Sequence, residues 1–170
     1  MKTIYLAGGC FWGVEHFFSL VEGVKKTTVG YANSDIDNPS YDDLKAHRSQ
    51  AAETVKIDYD EELISLNELL DLFFEIIDPT LTDRQGHDIG HQYRTGIYYT
   101  DVDDLSPIQE KLNKVKEENF GLCKTEVLKL VNFYNAEDYH QDYLYKNPHG
   151  YCHISLDKFE IAKNYNKGNH

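Results

Sequence analysis

Methionine is almost missing from this chain: it occurs once in 170 residues, at position 1. Oxidation at a thioether therefore has little internal target. Cysteine is scarce too, with only Cys10, Cys123 and Cys152. An odd count without a Cys-x-x-Cys spacing argues against a disulfide scaffold, a thioredoxin-type motif and a cysteine-rich zinc site. Positive charge is outnumbered, 17 Lys and Arg against 29 Asp and Glu, for a formal net charge of −12. Phosphate backbones and anionic lipid surfaces both need positive charge, so neither nucleic acid nor membrane is expected as a partner. The chain has no apolar run of the roughly 18 residues that would read as a membrane span. Met1 to Leu6 enters a strand at once and has no apolar signal-peptide core, so the expected location is the cytoplasm.

What is present is a 41% hydrophobic chain with 13 tyrosines, enough for one core and one domain spanning 1–170. The organising stretch is Gly8-Gly9-Cys10-Phe11-Trp12-Gly13-Val14-Glu15. Ile4 to Ala7 reads as a strand, and two glycines break it. Phe11, Val14, Phe17, Phe18 and Val21 then fall at helical spacing. Cys10 is thus expected where a strand gives way to a helix, whose N-terminal N–H groups and dipole favour a nucleophilic thiolate. Phe11 and Trp12 could wall an apolar pocket. The alternative is a small buried thiol beside ordinary core aromatics.

Further along, Lys25 to Tyr31 and Glu53 to Tyr59 read as strands, with Glu53 at the entrance of the second. Asp42 to Gln50 is polar and ambiguous. Ser65-Leu66-Asn67-Glu68 is a capping box before an apolar helical face of Leu66, Leu69, Leu70, Phe73, Phe74 and Ile77. Asp78-Pro79 ends that helix. Asp83 to Thr95 lacks periodicity but is dense in polar and aromatic groups, as functional loops are. Ile97 to Thr100 reads as a strand. Ser106 reads as the cap of a helix with Pro107 in its first position. Thr125 to Phe133 is β-rich, Ala136 to Tyr145 reads as a short helix, and Asn164 to His170 reads as a frayed tail. Strands and helices alternate without a regular βαβ pattern, so the fold class is α+β.

His87 and His91 stand four apart, a metal-binding spacing if helical, but Gly86 and Gly90 argue against a helix and no Glu lies between them. Metal binding is not the favoured reading. Glu53 and Asp88 could serve as acids or as salt-bridge partners. Tyr31 and Tyr93 each read more readily as core or surface than as site residues, and Cys123 reads as an inert buried thiol. The residues alone leave open a sulfur-redox enzyme, a Cys/His hydrolase or acyltransferase, and a redox-sensing module.

Taken in order, the motifs resemble the A-type peptide methionine sulfoxide reductases. The resemblance rests on Gly8 to Glu15, Gly30-Tyr31-Ala32, Glu53 before Val55, and Asp78-Pro79-Thr80. It continues through Arg84-Gln85-Gly86 with Asp88, Gln92-Tyr93-Arg94, and Ala136-Glu137-Asp138-Tyr139-His140-Gln141. It implies a two-layer α/β sandwich related to the ferredoxin-like plait, with a mixed sheet and a long irregular C-terminal segment from about residue 146. It also implies reduction of methionine-S-sulfoxide, free or in proteins, by a monomer that binds no cofactor. Cys10 would be the nucleophile that becomes a sulfenic acid, and Phe11 and Trp12 would cradle the substrate methyl. Tyr31, Glu53 and Tyr93 would surround the sulfoxide oxygen, with Asp88 in support. Cys152, in Gly150-Tyr151-Cys152-His153, would resolve the sulfenic acid to a disulfide that thioredoxin reopens. Gln50-Ala51-Ala52, Phe74, Ile77, His87 and His91 depart from the family's usual residues.

Overall fold

The computed structural model describes residues 1–165. Residues 166–170 of the expected frayed tail lie outside it. Asn164, where that tail was expected to begin, closes a helix.

Strand β1 (Lys2–Gly8) leads through Gly9 and Cys10 into helix α1 (Phe11–Ser19). Gly9 takes φ 91°, a left-handed conformation that glycine adopts freely, and this turns the chain from sheet to helix. Strand β2 (Val24–Ala32), the short helix α2 (Tyr41–Lys45) and strand β3 (Ala52–Tyr59) follow. Helix α3 (Leu66–Ile76) begins with the expected capping box: Ser65 accepts from the Glu68 N–H while Glu68 accepts from the Ser65 N–H. A two-residue ribbon, β4 (Arg84–Gln85) and β5 (Asp88–Ile89), precedes β6 (Thr95–Tyr99). Helix α4 (Leu105–Glu118), strands β7 (Glu126–Lys129) and β8 (Phe133–Asn135), and helices α5 (Tyr143–Lys146) and α6 (Leu156–Asn164) complete the described residues.

Six strands form one sheet in the order β7-β6-β1-β3-β2-β8. Only β6 and β7 run parallel; the other pairs are antiparallel. The α+β class with a mixed sheet is thus observed. Alternation along β1 sends Ile4 and Leu6 into the main core, which gathers Val14, Phe17 and Phe18 of α1 and Leu69, Leu70 and Phe73 of α3. Each such fully buried side chain contributes about 1.5–3 kcal/mol. Ala7 belongs to a smaller cluster with Ala32, Ala52 and Tyr98. Among the described residues, no helix is long and apolar enough to cross a membrane.

Several expectations are corrected. The C-terminal segment is not irregular throughout, because α6 buries Phe159 and Ala162 at helical spacing. Helix α4 starts at Leu105, so Pro107 is its third residue rather than its first; its missing N–H still costs nothing there, since first-turn donors have no helical acceptor. Residues 136–145 do not form one helix. A 3₁₀ turn at Asp138–His140 is separated from α5 by Asp142, at φ 54°. Cys123 is partly exposed, not buried.

Candidate active site

Cys10 occupies the N-cap position of α1 and is only 6% exposed. Its sulfur feels the Trp12 N–H, the expected stabilising influence of a helix start. That influence loses. Burial, and then the nearby Glu53 carboxyl, push the Cys10 thiol well above its ordinary range. The resting residue is a neutral thiol, contrary to the thiolate expected from position alone.

Glu53 enters from the start of β3 and is 1% exposed. One carboxyl oxygen accepts from the Phe11 N–H at 3.3 Å, while the other is buried with no partner. Burial pushes its pKa up to about 8, and the single hydrogen bond only partly opposes this. A carboxyl with one free oxygen, protonated at neutral pH, faces the same space as a neutral thiol.

Two tyrosines border this pair. Tyr93 ends a 3₁₀ turn after the β4–β5 ribbon, and its hydroxyl is pushed up first by burial and then by Glu53. Tyr41, at the start of α2, is raised by burial and by Glu53 and Cys10, and drawn back by the neighbouring Tyr93 hydroxyl. Sequence reading overlooked Tyr41 and favoured Tyr31. Tyr31 is fully buried, and its hydroxyl donates to Glu137 Oε1 at 2.7 Å instead of standing free. Glu137 Oε2 accepts from the Tyr41 backbone N–H at 3.2 Å, so Tyr31 holds the carboxylate that holds Tyr41.

The apolar wall is built as a stack. Trp12 lies on Tyr143 with ring centroids 3.9 Å apart and planes within 11°. Its indole N–H donates to His140 Nδ1 at 2.9 Å. Phe11 packs between His140 and Tyr31. The segment carrying His140 and Tyr143 is fastened from two sides. Gln141 exchanges two 2.9 Å bonds with the Val29 backbone, and Glu15 accepts from the Asp142 N–H at 2.7 Å and from Thr27 Oγ1 at 3.0 Å. Glu15 is 2% exposed and pushed up to about 7, chiefly by burial.

Asp88, on β5, accepts from the Tyr151 hydroxyl at 2.9 Å, and its charge reaches Cys10, Glu53 and Tyr93. Gln85 clamps that ribbon to the end of α3 through two 2.8 Å bonds with Asp78. Cys152 is half-buried, burial pushes its thiol up, and it is close enough to Cys10 for the two sulfurs to raise one another's cost of ionisation. The structure therefore gathers Cys10, Phe11, Trp12, Glu53, Tyr93, Asp88 and Cys152 around the start of α1, with Tyr41 added and the Tyr31 hydroxyl turned elsewhere. His91 caps no site of this kind; its Nδ1 pairs with Asp83 at 3.0 Å on the surface.

The arrangement can deliver a proton from a buried carboxyl to an oxygen and a sulfur nucleophile to the atom bearing it, beside the aromatic wall of Phe11 and Trp12. The family model for peptide methionine sulfoxide reductase matches residues 2–169. The chain is 55% identical over 157 residues to the peptide methionine sulfoxide reductase MsrA of Mycoplasma genitalium, covering 92% of this chain and all of that one. Its structure is similar to that of Mxr1 from Saccharomyces cerevisiae in reduced form, with a TM-score of 0.85, 36% identity and 91% of each chain covered. The same yeast protein in complex with Trx2 aligns at a TM-score of 0.60 and 26% identity over 84% of each chain.

Proposed function

This chain belongs to the peptide methionine sulfoxide reductase family, an oxidoreductase acting on methionine sulfoxide through thiols, and from that premise we propose which of its groups do the work. The observation that carries the reading is Glu53: a buried, protonated carboxyl with one unpartnered oxygen beside the Cys10 thiol.

A sulfoxide oxygen leaves poorly unless protonated. Glu53 gives it a proton, and Tyr41 and Tyr93 hydrogen-bond it. Cys10 attacks the sulfur and its thiol proton returns to Glu53; the substrate S–O bond breaks, an S–O bond to Cys10 forms, and methionine departs to leave Cys10 as a sulfenic acid. Methionine sulfoxide and a thiol become methionine and a sulfenic acid, with every atom accounted for. The neutral resting pair is what this needs, since a thiolate beside a carboxylate would hold neither of the two protons. Phe11 and Trp12 cradle the substrate methyl, and the substrate is the S epimer, free or in proteins. Asp88 orders the polar side through Tyr151. Cys152 then condenses with the sulfenic acid, and an external dithiol, thioredoxin by analogy with the yeast complex, reopens the disulfide.

On this reading the chain is a single catalytic domain that needs no bound cofactor and works as a monomer in the cytoplasm, where reducing conditions supply the dithiol. The strand order β6-β1-β3-β2, antiparallel throughout, supports a ferredoxin-like plait at its centre.

Two outcomes test the assignments. Cys152→Ser, mixed with a methionine-S-sulfoxide peptide and no reductant, still yields about one methionine per protein, but turnover with thioredoxin falls at least tenfold. Wild-type turnover in that variant would remove Cys152 from the cycle. Tyr41→Phe loses a donor to the developing oxygen charge and lowers kcat/KM by about 10²-fold. Tyr31→Phe loses only the hydroxyl on Glu137 and lowers it less than about tenfold. The reverse ranking in steady-state kinetics would return Tyr31 to the oxygen pocket.

A further inference from the structure

Residues 151–153 lie across the start of α1, and glycines clear the way for them. A Cβ on Gly13 would stand 2.9 Å from Cys152 Sγ, a Cβ on Gly9 would stand 3.1 Å from His153 Nε2, and one on Gly86 would stand 3.2 Å from His153 Cβ. Either side of Cys152 is tied down. The Tyr151 hydroxyl reaches Asp88, and His153 Nε2 is 3.0 Å from the Gly8 carbonyl oxygen. A carbonyl only accepts, so Nε2 carries the proton and Nδ1 does not. Nδ1 is buried without a partner. An imidazole with one nitrogen unsatisfied is an expensive way to fill space, and an apolar side chain would do it at less cost. Burial keeps this ring neutral, so the bond to Gly8 does not come and go with its charge.

We propose that His153 is a positioning residue for disulfide formation: its bond to the Gly8 carbonyl, on a bed of Gly9, Gly13 and Gly86, seats Cys152 against the first turn of α1 before the sulfenic acid forms. The inference rests on the reading of Cys152 as the resolving thiol. In the step it serves, Cys152 Sγ attacks Cys10 Sγ, the S–S bond forms and the S–O bond breaks. The hydroxyl leaves with the Cys152 proton as water, the Cys10 sulfur being reduced and the Cys152 sulfur oxidised by one electron each. His153 touches neither substrate nor reacting sulfur. It acts by keeping the approach intramolecular and short, a geometric effect in which a displacement of about 1 Å can cost up to about 10²-fold.

The test follows two products in one rapid-quench experiment. Reduced protein is mixed with one equivalent of a methionine-S-sulfoxide peptide without reductant. Methionine is measured by chromatography, and the Cys10–Cys152 disulfide by mass after alkylation. His153→Leu keeps the bulk and removes the donor. It is expected to form methionine at the wild-type rate and disulfide about tenfold more slowly. His153→Gln, whose amide can replace Nε2, is expected to restore disulfide formation to within about twofold, a rescue that a purely space-filling role would not produce. Gly13→Ala approaches from the other side: it raises helix propensity, so α1 is retained, yet it crowds Cys152 and is expected to slow the same step. It carries the test should His153→Leu lose its far-UV circular dichroism.

Disulfide at the wild-type rate in folded His153→Leu, or His153→Gln as slow as the leucine variant, overturns the proposal. Absence of methionine from the wild-type protein overturns the reductase reading itself. Methionine without a Cys10–Cys152 disulfide overturns the resolving role and His153 with it.

Discussion

Cys10→Ser is expected to abolish methionine formation from a methionine-S-sulfoxide peptide, whether dithiothreitol or thioredoxin is supplied. Serine keeps the shape of cysteine but replaces a polarisable sulfur by an oxygen that is far harder to ionise and has no sulfenic acid to form. The loss should exceed about 10⁴-fold, down to background, because the nucleophile itself is gone. Cys10 is 6% exposed and caps α1 without a side-chain hydrogen bond, so the new hydroxyl costs about 1–3 kcal/mol of stability where it finds no partner. Circular dichroism and a melting curve separate that modest loss from unfolding. Methionine appearing at the wild-type rate in folded Cys10→Ser would end the assignment, and a stable acyl-enzyme on wild-type Cys10 would favour a hydrolase instead.

Glu53→Gln should have the next largest effect. Glutamine keeps the length of the side chain and can still accept from the Phe11 N–H, but it cannot surrender a proton. The first-turnover rate near pH 7 is expected to fall about 10²–10⁴-fold, the range associated with a positioned general acid. In the wild-type protein the rate should hold below pH 8 and drop about tenfold per unit above it, because burial places the Glu53 pKa at about 8. The variant's residual rate should lack that descent.

Stability gives a second readout of the same carboxyl. Its folded pKa of about 8 lies above the ordinary 4.5, so the folded chain holds this proton more tightly than the unfolded chain does. Its favourable contribution is complete below pH 4.5, declines as pH rises toward 8, and is gone above it. Glu15, raised to about 7, acts with the same sign over a narrower window. Urea midpoints at pH 5 and pH 9 should therefore fall further in the wild-type protein than in Glu53→Gln. Equal declines would mean that the carboxyl is not held neutral by the fold.

How much of this was legible in the chain follows the range of the forces involved. The place of Cys10 was readable because a strand, two glycines and an apolar helical face are local signals. So was Glu53 at the head of an alternating strand, and the Ser65–Glu68 capping box. The acidity of Cys10 was not. Position in the helix favours the thiolate, but burial and a carboxyl 43 residues away decide otherwise. Tyr41 was missed for a related reason: its segment has no periodicity, and its backbone is fixed by Glu137 from the far end of the chain. Tyr31 was a candidate through the family resemblance alone; its place at the end of a clear strand reads as core, and its ring is packed away. The partners of Glu15 were not legible either: the Asp142 N–H and the Thr27 hydroxyl, which claim its two oxygens, come from distant parts of the chain. Helix α6 escaped because only Phe159 and Ala162 mark its buried side.

The stack of Trp12 on Tyr143 carries a practical consequence. Trp12 is the only tryptophan of the chain. Its indole lies two residues from Cys10, with one face on a phenol ring and its N–H on an imidazole. Ultraviolet emission excited at the red edge of protein absorption comes from that single ring. The enzyme thus has a built-in optical reporter, free of background from any other indole, on which arrival of substrate and each change in the neighbouring sulfur can be watched in real time without a label.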